Sequence, residues 1–156
     1  MDVVIRKARD EDLDAIGKLV GNDPAWISYG FDEKRAREMV KRMPDQAYVA
    51  EIGDRIVGVV TLRPNGFGHL GCFLRMIVVD PEFRGQGIGH ALLCRAWTLS
   101  REHGKSLFAI CSADNTAACK FFEQEGFTAV GQLPSLVVEG RSEVLYWKTA
   151  GPVRDG

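Results

Sequence analysis

The segment Met76–Ala91 constrains the fold more than any other, because it predicts a strand, a sharp break and a helix in direct succession. It reads MIVVDPEFRGQGIGHA. The run Met76–Val79 is apolar and rich in β-branched residues, which is typical of a buried strand. Asp80-Pro81 ends that strand, because proline has no N–H to donate and restricts the residue before it. A glycine-rich loop, Arg84–Gly89, then leads into a helical pattern.

The loop Arg84–Gly89 has the composition of a phosphate-binding turn. Its alternating glycines lack the Cβ atoms that would obstruct a ligand, and they can adopt positive φ, so that N–H groups can point into one concavity. The following helix adds its first-turn N–H groups and the positive end of its dipole. Arg84 adds a charged fork of donors. The loop therefore indicates a phosphate or pyrophosphate ligand, although a tight strand-to-helix turn could use the same glycines.

Two nucleotide-binding signatures fit this loop poorly. A P-loop would continue with Gly-Lys-Ser/Thr, which is absent here. A dinucleotide fingerprint would need Gly or Ala at its third glycine position, where the two possible registers place His90 or Leu92. A dinucleotide-binding protein is therefore an alternative against which the sequence argues.

Two motifs resemble those of a known family. The run Val79–Gly89, followed by Ala91-Leu92-Leu93, resembles motif A of the GNAT superfamily of N-acetyltransferases, Val-x-Pro-x-x-Arg-Gly-x-Gly-(Ile/Leu)-Gly. The run Asn115–Phe127 resembles motif B, with Phe122 where the family usually has tyrosine. Both motifs come in the family's order and spacing, so the resemblance extends over about residues 3–149.

The resemblance implies an α/β fold in which about seven strands form a mixed, mostly antiparallel sheet flanked by four helices. The pattern along the chain agrees with it: one strand, two helices, three strands, a helix, a strand, a helix and two strands. We expect a single N-acetyltransferase domain over residues 1–149 and a frayed C-terminal tail over residues 150–156.

The resemblance also implies acetyl-CoA as co-substrate, without a metal. The pantetheine arm would fill a gap between the strand ending at Val79 and the next one, and the pyrophosphate would lie on the loop. The backbone N–H of Ile77 would polarise the thioester carbonyl. The residues assigned to acetyl-CoA in this way are Ile77, Val78, Val79, Arg84, Gly85, Gln86, Gly87, Ile88, Gly89, Asn115 and Phe122.

The sequence lacks both side chains that the family often uses for proton transfer. The position of the strand acid holds Met76 or, shifted by one residue, Arg75, and Phe122 replaces the tyrosine. The catalytic side chains are therefore unknown, and positioning together with water would carry more of the catalysis. The predicted function is transfer of an acetyl group to a primary amine of a small molecule or peptide, by direct attack in a ternary complex. The alternative is a catalytically weak acyl-CoA-binding module.

The aromatic segment Ala25–Phe31 allows two interpretations. Its rings could cover one end of the core. They could instead line the acceptor pocket, because the corresponding segment of the resembled family commonly forms one wall of it. The candidate acceptor-binding residues are Trp26, Tyr29 and Phe31.

Other local signals predict particular caps and turns. Asp10 is the expected N-cap of the first helix and Asp32 that of the second, which should end before Pro44. The strands Ala47–Ile52 and Arg55–Leu62 are predicted to form a hairpin.

Net charge and the length of the apolar runs limit the classes of partner that this chain is expected to bind. The 156 residues carry a net charge of −1, which gives no electrostatic case for nucleic acid or an anionic membrane. No apolar run approaches the roughly 20 residues of a membrane helix, and Met1-Asp2 does not begin a signal peptide.

The four cysteines are predicted to be buried free thiols in a reducing cytoplasm. The identity of the amine and the oligomeric state, including a homodimer, stay open.

Overall fold

The computed structural model describes residues 2–43 and 46–152. Met1, Pro44, Asp45 and Val153–Gly156 lie outside the described residues, and the last four of these make up most of the predicted frayed tail. The strands are β1 (Val4–Lys7), β2 (Ala47–Ile52), β3 (Arg55–Arg63), β4 (Gly66–His69), β5 (Gly71–Val79), β6 (Ser106–Ser112), β7 (Thr128–Pro134) and β8 (Ser142–Lys148). The helices are α1 (Leu13–Gly21), α2 (Pro24–Ser28), α3 (Glu33–Lys41), α4 (Ile88–Glu102) and α5 (Thr116–Gln124).

Seven strands form a mixed sheet in the order β1-β2-β3-β5-β6-β8-β7. The pairs β1/β2, β2/β3, β6/β8 and β7/β8 are antiparallel, whereas β5/β6 is parallel. The predicted α/β fold, with a mostly antiparallel mixed sheet, is confirmed. The described residues contain one helix more than the four predicted, because the aromatic segment forms α2: Pro24 occupies its first turn and Asp23 caps it.

The chain packs as two compact units. Unit 1 comprises the residues up to Leu62 together with Met76–Ala96, and unit 2 comprises Arg63–Arg75 together with the residues from Trp97 onward. The extent of the single domain over residues 1–149 stays a prediction. None of the helices in the described ranges combines the length and the apolarity that a membrane span requires.

The core of unit 1 lies where α1 and α3 pack against the sheet. Gly17 and Gly21 allow the two helices to approach closely, because a Cβ on Gly21 would lie only 2.6 Å from the Glu33 nitrogen. Asp32 caps α3 as predicted, accepting a 2.8 Å hydrogen bond from the Arg35 N–H. The buried cluster consists of Ile16, Val20, Ala36, Met39, Val40, Ala47, Val49, Val59, Met76 and Val78.

The predicted cap by Asp10 is wrong. Asp10–Asp12 forms a 3-10 turn, and the buried acid is Asp12, which accepts hydrogen bonds from Arg6 at 2.7 and 2.9 Å and from the Arg9 N–H at 2.7 Å. The hydrogen bonds from Arg6 lower the pKa of Asp12 below its usual range. A salt bridge to Arg6 on the neighbouring strand therefore outweighs the local capping preference.

Unit 2 is built on β6, β8 and β7, and α5 packs on the same unit. The registered pairs of the parallel ladder run from Gly71↔Ser106 to Leu74↔Ala109, so the ladder covers the first residues of β5. Aromatic rings stack along this unit, since the Phe67 and Phe108 centroids lie 4.1 Å apart.

The prediction that all four cysteines are buried is only partly right. Cys72 and Cys111 are buried free thiols, but Cys94 is exposed and Cys119 is half-buried. On α4, the helix turns Leu92 and Leu93 inward and leaves Cys94 at the surface, where its Sγ lies 3.4 Å from Nε2 of His90.

Candidate functional site

The glycine-rich loop of unit 1 is anchored at its start by ionic contacts. The Oδ1 atom of Asp80 accepts a hydrogen bond from the Glu82 N–H at 3.0 Å and caps a 3-10 turn, Pro81–Phe83. Arg55 donates to Asp80 at 2.9 Å and to Glu82 at 3.2 Å. These contacts fix the point at which the chain leaves β5 and enters the loop.

Two glycines of the loop adopt a conformation that disfavours other residues. Gly85 has φ +78° and Gly87 has φ +81°. A Cβ added to either would meet no atom within 4 Å, so neighbouring protein atoms do not fill this space. The loop therefore has open space around Gly85 and Gly87 and a backbone conformation that favours glycine, and the first N–H groups of α4 follow directly. Such a surface can accept an anion.

Arg84 lies at the edge of the loop and is held at two points. Its Nε donates to the Val79 carbonyl at 3.3 Å, and its Nη2 donates to Oδ2 of Asp23 at 3.4 Å. The side chain is still 55% exposed. Because a guanidinium has five N–H donors, these two bonds leave others for a ligand. The carbonyl of Val79, one of the predicted cofactor contacts, already accepts a bond from Arg84.

The end of β5, predicted as a buried strand, alternates between buried and half-buried residues. Met76 and Val78 belong to the core of unit 1, while Ile77 and Val79 are half-buried. On the β3 side, the Asp80 N–H donates to the Val57 carbonyl at 2.8 Å. Met76 is fully buried, so an apolar side chain fills the position at which the resembled family often has an acid.

The aromatic segment of unit 1 forms one cluster. The Trp26 ring makes edge contacts with Tyr29 and Phe31, with centroids 5.3 and 5.1 Å apart. Trp26 and Phe31 also pack against the buried core, as the first interpretation of this segment expects. Ile27 is 51% exposed on the same short helix. The structure thus brings the three candidate acceptor residues together within the unit that holds the glycine-rich loop.

In unit 2, Asn115 has a structural task that the sequence interpretation missed. Its side-chain oxygen accepts a 3.1 Å hydrogen bond from the Ala118 N–H and caps α5. The position of an asparagine directly before a helical pattern was the signal for this role. The amide nitrogen is the part of Asn115 that the cap does not use.

Phe122 is a core residue of unit 2. It is 3% exposed, and its ring centroid lies 5.6 Å from Phe121, 5.3 Å from Phe127 and 5.6 Å from Tyr146. Tyr146 donates to Oε2 of Glu123 at 3.4 Å. Burial raises the pKa of the Tyr146 hydroxyl, so this group stays protonated near neutral pH.

The sequence did not predict two further features of unit 2, a pair of neighbouring thiols and a buried carboxylate. The thiols of Cys111 and Cys119 lie 3.4 Å apart, and burial raises the pKa of Cys111. Glu143 is fully buried on β8, with Oε2 3.6 Å from Nε of Arg141. The polar run Arg141-Ser142-Glu143 contains no local signal for a buried acid.

Among residues 2–43 and 46–152, no group of histidine, cysteine and acidic side chains is arranged to hold a metal ion.

Comparison with known proteins identifies the family. The profile described as Acetyltransferase (GNAT) family matches residues 10–127. The chain therefore belongs to the GNAT acetyltransferase family, whose members use acetyl-CoA. It is similar to proteins named N-acetyltransferases, which supports that activity at the level of the family.

Three relatives illustrate the range of lengths. An uncharacterized N-acetyltransferase of Methanocaldococcus jannaschii is 30% identical over 94 residues, which cover 57% of this chain and 42% of that protein. N-alpha-acetyltransferase 30 of Schizosaccharomyces pombe is 27% identical over 139 residues, covering 86% of this chain and 89% of that protein. An amino-acid acetyltransferase of Pseudomonas putida is 28% identical over 131 residues, covering 82% of this chain. The chain spans only 28% of that last enzyme.

Solved structures support the fold. Ard1 from Thermoplasma volcanium superposes with a TM-score of 0.81 at 18% identity, covering 96% of this chain and 98% of that one. A putative acetyltransferase from Salmonella typhimurium, solved with its cofactor acetyl-CoA, superposes with a TM-score of 0.79 at 20% identity. That alignment covers 100% of this chain and 98% of the other.

Proposed function

We propose that this protein transfers the acetyl group of acetyl-CoA to an α-amino group. The observation that carries the proposal is the open glycine-rich loop, where Gly85 and Gly87 have positive φ and face unfilled space. The pyrophosphate of acetyl-CoA would accept hydrogen bonds from the loop and from the first turn of α4, beside Arg84. The pantetheine amides would pair with the backbone of Ile77 and Val78.

Three more of the predicted cofactor residues belong to the loop itself. Gln86, Ile88 and Gly89 complete the loop and the start of α4. Asn115 would offer its amide nitrogen while its oxygen caps α5. Because Phe122 is packed among other rings, its proposed contribution is to support α5, and it has no proton to donate.

The chemistry proposed is a direct attack in a ternary complex. The nitrogen lone pair of the amine forms a bond with the thioester carbon, and the carbonyl electrons move onto oxygen, where the Ile77 N–H stabilises them. When the carbonyl reforms, the C–S bond breaks and coenzyme A leaves as a thiolate. The proton lost by the amine passes to water. This sequence of steps requires a neutral amine and two well-positioned reactants.

The need for a neutral amine favours an α-amino acceptor over a lysine side chain. An α-amine has a pKa of about 7.7–8.0 and is partly neutral near pH 7.5, whereas a lysine amine, with a pKa of about 10.4, is almost fully charged. The strand position often used for a base holds the buried Met76. The names of two relatives agree with this choice, since one is an N-alpha-acetyltransferase and another an amino-acid acetyltransferase.

Trp26, Tyr29 and Phe31 are the proposed wall of the acceptor site. Since Trp26 packs against the core, Tyr29 gives the cleaner test. We expect Tyr29→Ala to raise the KM of the acceptor with little change in the KM of acetyl-CoA. Ile27→Ala, on the exposed side of the same helix, is the control. Equal effects of the two substitutions would place the acceptor elsewhere.

A second candidate is an acyl-CoA-binding module with weak catalysis. It is favoured by the burial of Met76 and Phe122 at the two positions where proton-transferring side chains are expected. Such a module would bind coenzyme A without turning over.

Release of coenzyme A thiol separates these functions. Acetyl-CoA would be offered with free amino acids, short peptides with a free N-terminus, Nα-acetyl-lysine and a polyamine. We expect turnover with α-amines at pH 7.5, and with lysine side chains only as the pH rises. Coenzyme A binding without thiol release from any amine would support the binding module. Efficient use of Nα-acetyl-lysine at pH 7.5 would contradict the assignment to α-amines.

A further inference from the structure

Asp23 joins two parts of unit 1 through its two carboxylate oxygens. Oδ1 accepts from the Ala25 N–H at 3.0 Å and the Trp26 N–H at 3.4 Å, which caps α2. Oδ2 lies 3.4 Å from Nη2 of Arg84 in the glycine-rich loop. The Asp23 side chain is only 12% exposed, so this carboxylate is held between the two partners.

Arg84 is the less constrained of the pair. Its side chain is 55% exposed, and its second hydrogen bond, from Nε to the Val79 carbonyl, is 3.3 Å long. An exposed arginine keeps rotamer freedom that an ordered partner would remove. An anion in the loop would bind the outer donors of the guanidinium and fix the side chain in one position.

The helix that Asp23 caps carries the aromatic cluster. The Ile27 N–H donates to the Asp23 carbonyl at 2.9 Å, and the Phe31 N–H to the Trp26 carbonyl at 3.0 Å. A helix of five residues is marginal without such contacts. The carboxylate cap of Asp23 therefore adds two further hydrogen bonds to a helix that has few of its own.

We propose that Asp23 is a positioning residue that couples the occupancy of the loop to the order of the aromatic helix α2. Pyrophosphate binding fixes Arg84, Arg84 fixes Asp23, and Asp23 stabilises α2 and the face that Trp26 and Tyr29 present. The coupling is reciprocal, so an acceptor held by α2 strengthens coenzyme A binding by the same factor. This inference rests on the proposed binding of coenzyme A at the loop.

Hydrogen exchange of the amides of residues 25–31 tests the coupling without knowledge of the acceptor. Coenzyme A is the probe, and its Kd is measured by calorimetry on the same samples. In the wild type, we expect saturation with coenzyme A to slow exchange of these amides at least fivefold, the lower end of typical coupling factors.

Asp23→Asn separates the cap from the ion pair, because an asparagine oxygen can still accept from Ala25 and Trp26. By the same reciprocity, we expect its Kd for coenzyme A to rise by no more than the coupling factor, because the ordered α2 no longer strengthens binding. The effect of coenzyme A on exchange of α2 should disappear. Asp32→Asn, at the cap of α3, is the matched control and should leave that effect intact.

The outcomes are distinct. If coenzyme A does not bind the wild type, the proposed function fails and this inference with it. If it binds but leaves exchange of α2 unchanged or faster, only the coupling is wrong. The coupling is equally wrong if Asp23→Asn and Asp32→Asn preserve it to the same extent.

Discussion

The glycine-rich loop of unit 1 and helix α5 of unit 2 both carry family motifs, but they use their residues in opposite ways. In the loop, Gly85 and Gly87 leave space unfilled and expose the backbone. On α5, Phe122 is 3% exposed in a cluster of rings, and Asn115 caps the helix. A motif can thus act through exposed backbone groups that a ligand can bind, or through side chains that pack and cap a helix.

This difference predicts where substitutions act. Changes in the loop should alter binding more than stability, and changes on α5 should alter stability more than binding. Four substitutions test the contrast, beginning with the largest expected effect.

Phe122→Ala should lower the free energy of unfolding by about 3–5 kcal/mol, because it removes a buried ring and leaves a cavity. Urea denaturation measures the loss. Phe67→Ala is the control in the same unit: its ring is 38% exposed and stacks on Phe108, so about 1 kcal/mol is expected. Equal losses for the two variants would mean that α5 is not packed as a core element.

Gly87→Val should weaken coenzyme A binding by at least tenfold, about 1.4 kcal/mol, because a branched side chain would enter the open space and φ +81° disfavours it. Calorimetry gives the Kd. Gly53→Val is the matched control, since Gly53 has φ +59° in the turn between β2 and β3 and also faces open space. It should show similar backbone strain with an unchanged Kd, and a comparable loss of binding would remove the loop from the site.

Asn115→Ala should destabilise the protein by about 1 kcal/mol through loss of the α5 cap. Asn115→Ser restores an N-cap oxygen and should recover most of that stability by urea denaturation. The same two variants test whether the amide nitrogen of Asn115 contacts coenzyme A, because both remove it. If both weaken coenzyme A binding equally, the amide contacts the cofactor, whereas an unchanged Kd in both would make Asn115 purely structural.

The sequence predicted the end of β5, the break at Asp80-Pro81 and the helix that follows the loop, because proline, glycine and apolar periodicity act locally. It could not foresee that Arg84 would pair with Asp23, because the two residues are 61 positions apart and no local pattern links them. The burial of Glu143 and the contact between the thiols of Cys111 and Cys119 were also missed, because they follow from how β8, β6 and α5 pack within unit 2. Such contacts depend on which strands and helices meet, and no local pattern records that.

Phe122→Tyr is expected to have the smallest effect on the reaction. It tests whether α5 only supports the fold or also takes part in catalysis. The new hydroxyl would enter a ring cluster that is almost fully buried, so a cost of about 1–3 kcal/mol in stability is expected. Phe127→Tyr, in the same cluster, controls for that cost. We expect kcat to stay within a few-fold, because a thiol with a reference pKa of about 8.5 leaves readily as its anion. The pH profile of wild-type kcat should rise once, with the acceptor amine, and show no descending limb. A gain in kcat approaching 10²-fold in Phe122→Tyr alone would mean that proton delivery to sulfur limits the rate. The helix would then belong to the reacting site and would no longer be only its support.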